Sequence, residues 1–174
     1  PDNARVLYLL AEAQLCRIDD GQAQASGLAH LDRSLELDPN QPAAFALRAE
    51  RHYNRALTDE SGEHVIRTLM GLTYDRHALE AALADYARAA ALEQNNQYDR
   101  RIAHIAELLG RYELATEHLD RVLARLPADA PARAFVQEER DRCAQGESGA
   151  REQLAAMIEA AGAPEQTERN LEED

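Results

Sequence analysis

Apolar residues recur at intervals of three and four positions along most of the chain. The clearest example is the stretch 97–127. Its apolar positions are Ile102, Ile105, Leu109, Ala115, Leu119, Val122 and Leu126. This spacing places side chains on one face of an α-helix. Gly110 interrupts the series and suits a left-handed helix end, and Pro127 cannot continue the helix before it. The stretch therefore predicts two helices joined by a short turn.

The same periodicity predicts helices along the rest of the chain. They cover residues 4–18, a segment ending near Leu37, a segment beginning at Pro42, residues 78–93, 131–144 and 150–161. Turn-forming residues lie between them, as in Asp19-Asp20-Gly21 and Gly146-Glu147-Ser148-Gly149. Gly and Pro are otherwise sparse, so we expect an all-α protein.

Several stretches resemble the tetratricopeptide repeat family, whose unit is a helical hairpin of about 34 residues. In 97–127 the small packing residues are Ala103 and Ala115, the turn aromatic is Tyr112, the large residue is Leu119 and the closing proline is Pro127. The run from Ala82 to Ala89 matches the second helix of such a repeat, and the run from Leu35 to Pro39 matches its end. Asp99 stands where the family has an aromatic residue.

The resemblance implies a right-handed superhelical solenoid of antiparallel helix pairs. The expected units are repeats at 4–39, 42–94 and 97–127, followed by a divergent helix pair at 130–161. Together they form a predicted repeat domain at 1–162. Residues 163–174 are acidic and without periodicity, so we expect a disordered tail.

The second repeat carries about twenty extra residues, at 58–76. They include apolar residues that must pack on something, namely Val65, Ile66, Leu69 and Met70. Their spacing suggests a helical piece or extensions of the flanking helices. The segment packs against its own repeat, or it forms a surface for a partner or for self-association.

Composition narrows the classes of partner. The formal net charge is −13 with a pI of about 4.9, which argues against a general nucleic-acid surface. It leaves a basic or polar protein partner open. No apolar run approaches the length of a membrane span. Cys16 and Cys143 lie far apart and in no metal or redox spacing, so we interpret both as small buried hydrophobes.

No pattern in the chain indicates catalysis. It has no His-Glu-x-x-His, no Gly-rich phosphate loop and no serine elbow. The six histidines are scattered, although His64 and His77 bracket much of the insertion. We therefore predict no catalytic residue, no cofactor and no metal.

The family resemblance implies instead that the first helix of each repeat lines a concave groove for a peptide or helix of a partner. Helical spacing then places Arg5, Tyr8, Glu12, Glu50, Tyr53, Asn54, Arg100, His104 and Glu107 on the groove side, with Ala46 and Gln97. Arg100 would hold a carboxylate, and Glu50 a basic side chain. Some family members clamp a C-terminal carboxylate, but Tyr8 and Glu12 stand where that clamp needs Lys and Asn.

The leading hypothesis is a non-catalytic scaffold or adaptor for protein–protein interaction. One alternative is a chaperone dedicated to a single partner, since small acidic three-repeat chaperones of bacterial secretion systems are similar in size and charge. Another is a regulatory or substrate-recruiting domain of a larger enzyme, which a chain beginning at Pro1 leaves open. The compartment is not constrained: cytoplasmic, or periplasmic if the chain is processed.

Overall fold

The computed structural model describes the backbone of residues 3–17, 20–58, 65–67 and 73–160, and the side chains of residues 3–17, 20–56 and 74–146. Helices dominate these residues, which confirms the predicted helical class. The helices are α1 (Ala4–Leu15), α2 (Gly21–Leu37), α3 (Pro42–Thr58), α4 (Arg76–Leu92), α5 (Asn96–Leu108), α6 (Tyr112–Arg125) and α7 (Ala132–Ala160). A short hairpin, β1 (Val65–Arg67) and β2 (Thr73–Asp75), lies between α3 and α4. In the described ranges, no helix is both long and apolar enough to cross a bilayer.

Polar side chains begin several of the helices. Asn3, Asp20, Asp75 and Asn95 each accept a hydrogen bond from a backbone N–H in the first turn of the following helix. These bonds satisfy donors that a helix leaves unpaired at its start. The turn residues of the sequence therefore mark the helix boundaries through a direct contact.

The turn between α5 and α6 follows the prediction closely. Gly110 has a φ of 72°, in the left-handed region that favours glycine. The N–H of Arg111 donates to the carbonyl of Ala106 at 2.8 Å, and the N–H of Gly110 donates to that of Glu107 at 2.9 Å. This is the paired bonding of a Schellman motif. It ends α5 and allows α6 to begin at Tyr112.

Neighbouring helices pack on each other in sequence order. Gln24, early in α2, donates to the carbonyl of Leu15 at 3.0 Å. Ser34, late in α2, donates to the carbonyl of Ala4 at 2.7 Å. These contacts make α1 and α2 antiparallel. Gly27 permits their close approach, because a Cβ there would lie 2.8 Å from the Leu15 Cγ atom.

The buried core consists of three clusters that succeed each other along the chain. The first joins α1, α2 and α3, with Ala89 of α4. The second joins α3, α4 and α5 around Leu79 and Tyr86, and includes Tyr74 of β2. The third joins α5, α6 and α7 around Leu119 and Val136. Each cluster shares at least one helix with the next, so the core runs continuously through the described helices.

The helical piece predicted within the 58–76 insertion is wrong at residues 65–67 and 73–75, although Thr58 still belongs to α3 and Arg76 to α4. Residues 65–67 and 73–75 form antiparallel strands, with Ile66 opposite Tyr74. Val65, Ile66 and Thr73 are β-branched and Tyr74 is aromatic, and these residue types favour strands. Tyr74 is 5% exposed and packs into the second core cluster. The insertion is thus anchored through β2 to the core formed by α3, α4 and α5.

Two further expectations are partly corrected. The predicted final helices at 131–144 and 150–161 are continuous in α7 except at Gly146, whose φ of 66° and ψ of −149° break the helical geometry. Cys143 is buried as expected, but Cys16, the residue that caps the end of α1, is exposed. The predicted tail at 163–174 lies outside the described residues.

Candidate functional site

A cleft of about 590 Å³ opens over α3, α5 and α7. Its lining is Ala46, Glu50, Tyr86, Gln97, Tyr98, Arg100, Arg101, His104 and Glu139. All of these except Tyr86 come from the three helices named, and Tyr86 reaches the cleft from α4. Five of the nine lining residues are among those that the family resemblance and helical spacing together place on the groove side. These are Ala46, Glu50, Gln97, Arg100 and His104.

Glu50 is held in a fixed orientation at the cleft wall. The buried Tyr86 hydroxyl donates to one oxygen of its carboxylate at 2.6 Å. Arg101 donates to the other oxygen at 3.3 Å. Burial, followed by the hydrogen bond to Glu50, raises the pKa of Tyr86 well above its ordinary value of 10.0. Tyr86 therefore remains a donor at physiological pH.

Arg100 and Arg101, which are consecutive in α5, make the same two kinds of contact, Arg100 with α7 and Arg101 with α3. The Arg100 guanidinium lies 5.4 Å from the centre of the Phe135 ring and donates to Glu139 at 3.1 Å. The Arg101 guanidinium lies 5.7 Å from the centre of the Tyr53 ring and donates to Glu50 at 3.3 Å. Each guanidinium is stacked on an aromatic face and paired with a carboxylate, which limits its conformations.

Tyr53 and His104 connect α3 to α5 beside the cleft. The Tyr53 oxygen lies 2.9 Å from His104 Nε2, and the two rings meet edge to face at 5.8 Å. The ring of His104 reaches solvent, yet desolvation by its surroundings lowers its pKa below 6.5. Glu107 and Glu139 oppose that shift, while Arg101 and Arg142 add to it. Desolvation also raises the pKa of Tyr53. The pair is neutral at physiological pH.

The remaining predicted groove residues lie outside the cleft lining. Glu107 is one turn beyond His104 and accepts a hydrogen bond from Arg142 of α7 at 2.8 Å. Asn54 is exposed on α3. Arg5, Tyr8 and Glu12 form a separate cluster on α1, where the Arg5 guanidinium lies 5.5 Å from the Tyr8 ring centre.

Tyr8 nevertheless lies near the cleft. It packs against the same core cluster as Tyr98 and Ala46, both of which line the cleft. Burial, followed by the charge of Glu12, raises the pKa of the Tyr8 hydroxyl. The α1 cluster is thus a neighbour of the cleft on its amino-terminal side.

Helical spacing missed several contributors. Tyr98 and Arg101 flank the predicted positions on α5, and Tyr86 projects from a second helix that was assigned to the core. Phe135, Glu139 and Arg142 lie at spacings of four and three on α7. These positions continue the helical spacing of the groove-side residues predicted on α3 and α5.

Two buried carboxylates hold helix pairs together away from the cleft. Asp85 of α4 accepts two hydrogen bonds from Arg48 of α3, each at 2.7 Å. Asp99 of α5 accepts from Arg125 and lies 2.6 Å from His118 Nδ1, both in α6. Asp99 is only 3% exposed. A polar bridge between helices therefore occupies the position where the resemblance implies an aromatic residue.

The predicted insertion surface is only partly described. Val65 and Ile66 lie in β1, whose backbone alone is described, and Leu69 and Met70 lie outside the described residues. His64, one of the two histidines that bracket the insertion, lies outside them as well. Among the described residues, no group of three or more His, Cys, Asp or Glu side chains is placed to hold a metal ion.

In comparisons with known proteins, neither a protein-family model nor a curated protein sequence matches this chain.

Proposed function

We propose that this chain is a tetratricopeptide-type solenoid that binds a segment of a partner protein in its groove and catalyses no reaction. The observation that carries the proposal is the cleft lined by α3, α5 and α7. Helices α3 and α5 are the first helices of two successive helix pairs, α7 follows as the next helix along the chain, and α1, the first helix of the preceding pair, presents Tyr8 beside them. The family resemblance implies a groove on that side.

The chemistry of the cleft supports a peptide ligand. Its volume lies within the range of about 300–1,000 Å³ that is usual for sites of small ligands, so it would hold only a short segment of a partner. Aromatic rings are present for apolar side chains, and guanidinium, amide and carboxylate groups are present for hydrogen bonds. This combination of aromatic and arginine side chains is typical of protein interfaces.

A peptide selection on the purified chain tests the proposal. Random 12-residue peptides displayed on phage are selected on the immobilised chain, and the affinity of the enriched sequences is measured by fluorescence anisotropy. The test variant combines Arg100→Glu with Tyr53→Ala. The first change removes the Arg100 guanidinium, and the second removes the ring on which the Arg101 guanidinium stacks. We expect at least about a tenfold loss of affinity, because residues of this type carry most of the binding energy at interfaces.

Arg121→Glu is the matched control. Arg121 is also an exposed helical arginine that is paired with a glutamate, but it lies on α6. It should leave the affinity within about twofold, since an exposed ion pair contributes little. Far-UV circular dichroism checks that helical content is the same in all variants. A selection without enriched peptides, or equal losses in the test variant and the control, would overturn the proposal.

A further inference from the structure

The cleft carries no net charge, although the chain as a whole is strongly acidic. Two carboxylates line it, Glu50 and Glu139, together with two guanidiniums, Arg100 and Arg101. His104 is neutral at physiological pH because desolvation lowers its pKa. The chain has a formal net charge of −13, so the acidic excess lies entirely outside the cleft lining.

Each charge in the cleft is already paired within the protein. A ligand carboxylate that paired with Arg100 would separate Arg100 from Glu139 and leave the Glu139 carboxylate without a cationic partner, close to the negative charge of the ligand. A ligand cation that took Glu50 would likewise compete with Arg101. Charged ligand side chains therefore exchange one ion pair for another, whereas uncharged groups bind without separating either pair.

The cleft still has hydrogen-bonding capacity that is not used internally. A guanidinium has five N–H donors. Among contacts with the described residues, Arg100 and Arg101 each use one of these donors. The side-chain amide of Gln97 makes no hydrogen bond within the same set. These three residues lie on one face of α5, so the floor of the cleft presents a row of donors, with Glu50 and Glu139 as acceptors on the two walls.

An extended peptide main chain matches this arrangement. It offers one carbonyl acceptor and one N–H donor per residue and has no net charge. A helix uses these groups internally. One helical turn, with a diameter of 10–12 Å and a pitch of 5.4 Å, also occupies roughly 500 Å³, so the cleft has room for about one turn of helix.

We infer, resting on the proposed function, that the cleft takes an uncharged, extended peptide segment and holds it mainly through its main chain. Carbonyl groups of the segment accept from the donor row of α5, and its N–H groups donate to Glu50 and Glu139. Uncharged side chains of the segment lie against Tyr98 and the rim residue Phe135, which is 55% exposed.

Three displayed peptide libraries test the inference. They have the same length and differ only in composition: one has uncharged residues alone, one is enriched in Asp and Glu, and one is enriched in Lys and Arg. We expect the uncharged library to give the tightest binders. Their affinity should change less than about twofold between about 50 and 500 mM NaCl, because screening acts on net charge–charge attraction.

A synthetic copy of the best binder tests the main-chain contacts. N-methylation of one interior amide removes a donor and should lower the affinity at least about tenfold, whereas N-methylation at the terminal residue should not. Binders from a charged library that lose more than about tenfold in affinity at high salt and tolerate interior N-methylation would overturn the inference alone. If no library yields a binder, the proposed function fails with it.

Discussion

Neutralising Asp85 tests whether a buried ion pair holds α3 against α4. Arg48 donates to both oxygens of the Asp85 carboxylate at 2.7 Å, and His52 Nε2 lies 3.8 Å from one of them. The side chain of Asp85 is 9% exposed and that of Arg48 is 25% exposed. On its solvent side, Arg48 also donates to Asp32 at 2.7 Å. These bonds raise the pKa of Arg48 above its ordinary value.

The structure sets the expected size of the effect. Asp85→Asn keeps the shape of the side chain but leaves the Arg48 guanidinium facing an uncharged amide. Removing one partner of a buried ion pair costs about 3–5 kcal/mol of unfolding free energy. Arg48 is partly solvated and retains Asp32, so we expect the loss to be smaller, about 2–3 kcal/mol. As a control, Glu36→Gln breaks the exposed pair with Arg33 and should cost less than about 0.5 kcal/mol.

Urea unfolding followed by far-UV circular dichroism measures both variants at one pH and one ionic strength. A double-mutant cycle with Arg48→Met isolates the pair, and we expect a coupling energy above about 1.5 kcal/mol. The reasoning is refuted if Asp85→Asn costs no more than Glu36→Gln. A coupling energy near zero would refute it equally, because the two side chains would then act independently.

Three further predictions concern packing, pH and thiol reactivity. Gly27→Ala places a Cβ 2.8 Å from a buried leucine carbon, so the overpacking cost of about 1–3 kcal/mol should outweigh the gain of about 1 kcal/mol in helix propensity. The control Gly21→Ala, whose Cβ would have no atom within 4 Å, should not destabilise the chain. Equal urea midpoints for the two variants would contradict this prediction. Desolvation lowers the pKa of His52 and His104 below 6.5, so their contribution to stability is present above that pH and is lost as the pH falls through the folded-state values. A variant with both histidines replaced by Gln should lose less stability between about pH 7.5 and 5 than the parent chain, and an equal loss would rule this out. Burial raises the pKa of Cys143 to about 11, so iodoacetamide at about pH 8 should label it at least about a hundredfold more slowly than the exposed Cys16. The difference between the two rates should vanish in urea. Similar rates in the native chain would show that the Cys143 thiol is accessible.

Local sequence signals were sufficient to place the helices. Three- and four-residue spacing located them, and polar caps and Gly110 set several boundaries, because each of these signals acts within a few residues. Ala103 and Ala115 are buried at the positions where the repeat pattern needs small residues. The helical expectation for the insertion is wrong because spacing is such a local signal. Its spacing permits a helix, but its β-branched residues and cross-strand partners six to ten residues away favour the hairpin.

The cleft was only partly predictable. The family resemblance selected α3 and α5 as groove helices, and helical spacing within them then identified Glu50, Arg100 and His104. It could not identify their partners, since the pairing of Arg100 with Glu139 depends on how α7 packs against α5. The sequence suggested that Glu50 and Arg100 are free for a ligand, whereas in the structure Glu50 is paired with Arg101 and Arg100 with Glu139.

Buried ion pairs and partly exposed ion pairs connect different sets of helices. Asp85 and Asp99 are buried and bridge the helices α3–α4 and α5–α6. The pairs along the cleft, Glu50 with Arg101 and Arg100 with Glu139, are more exposed and bridge α3–α5 and α5–α7. Removing one partner of a buried pair costs several kcal/mol, whereas an exposed pair contributes about 0–1 kcal/mol. Breaking a buried pair within α3–α4 or α5–α6 should therefore cost more stability than breaking a pair along the cleft.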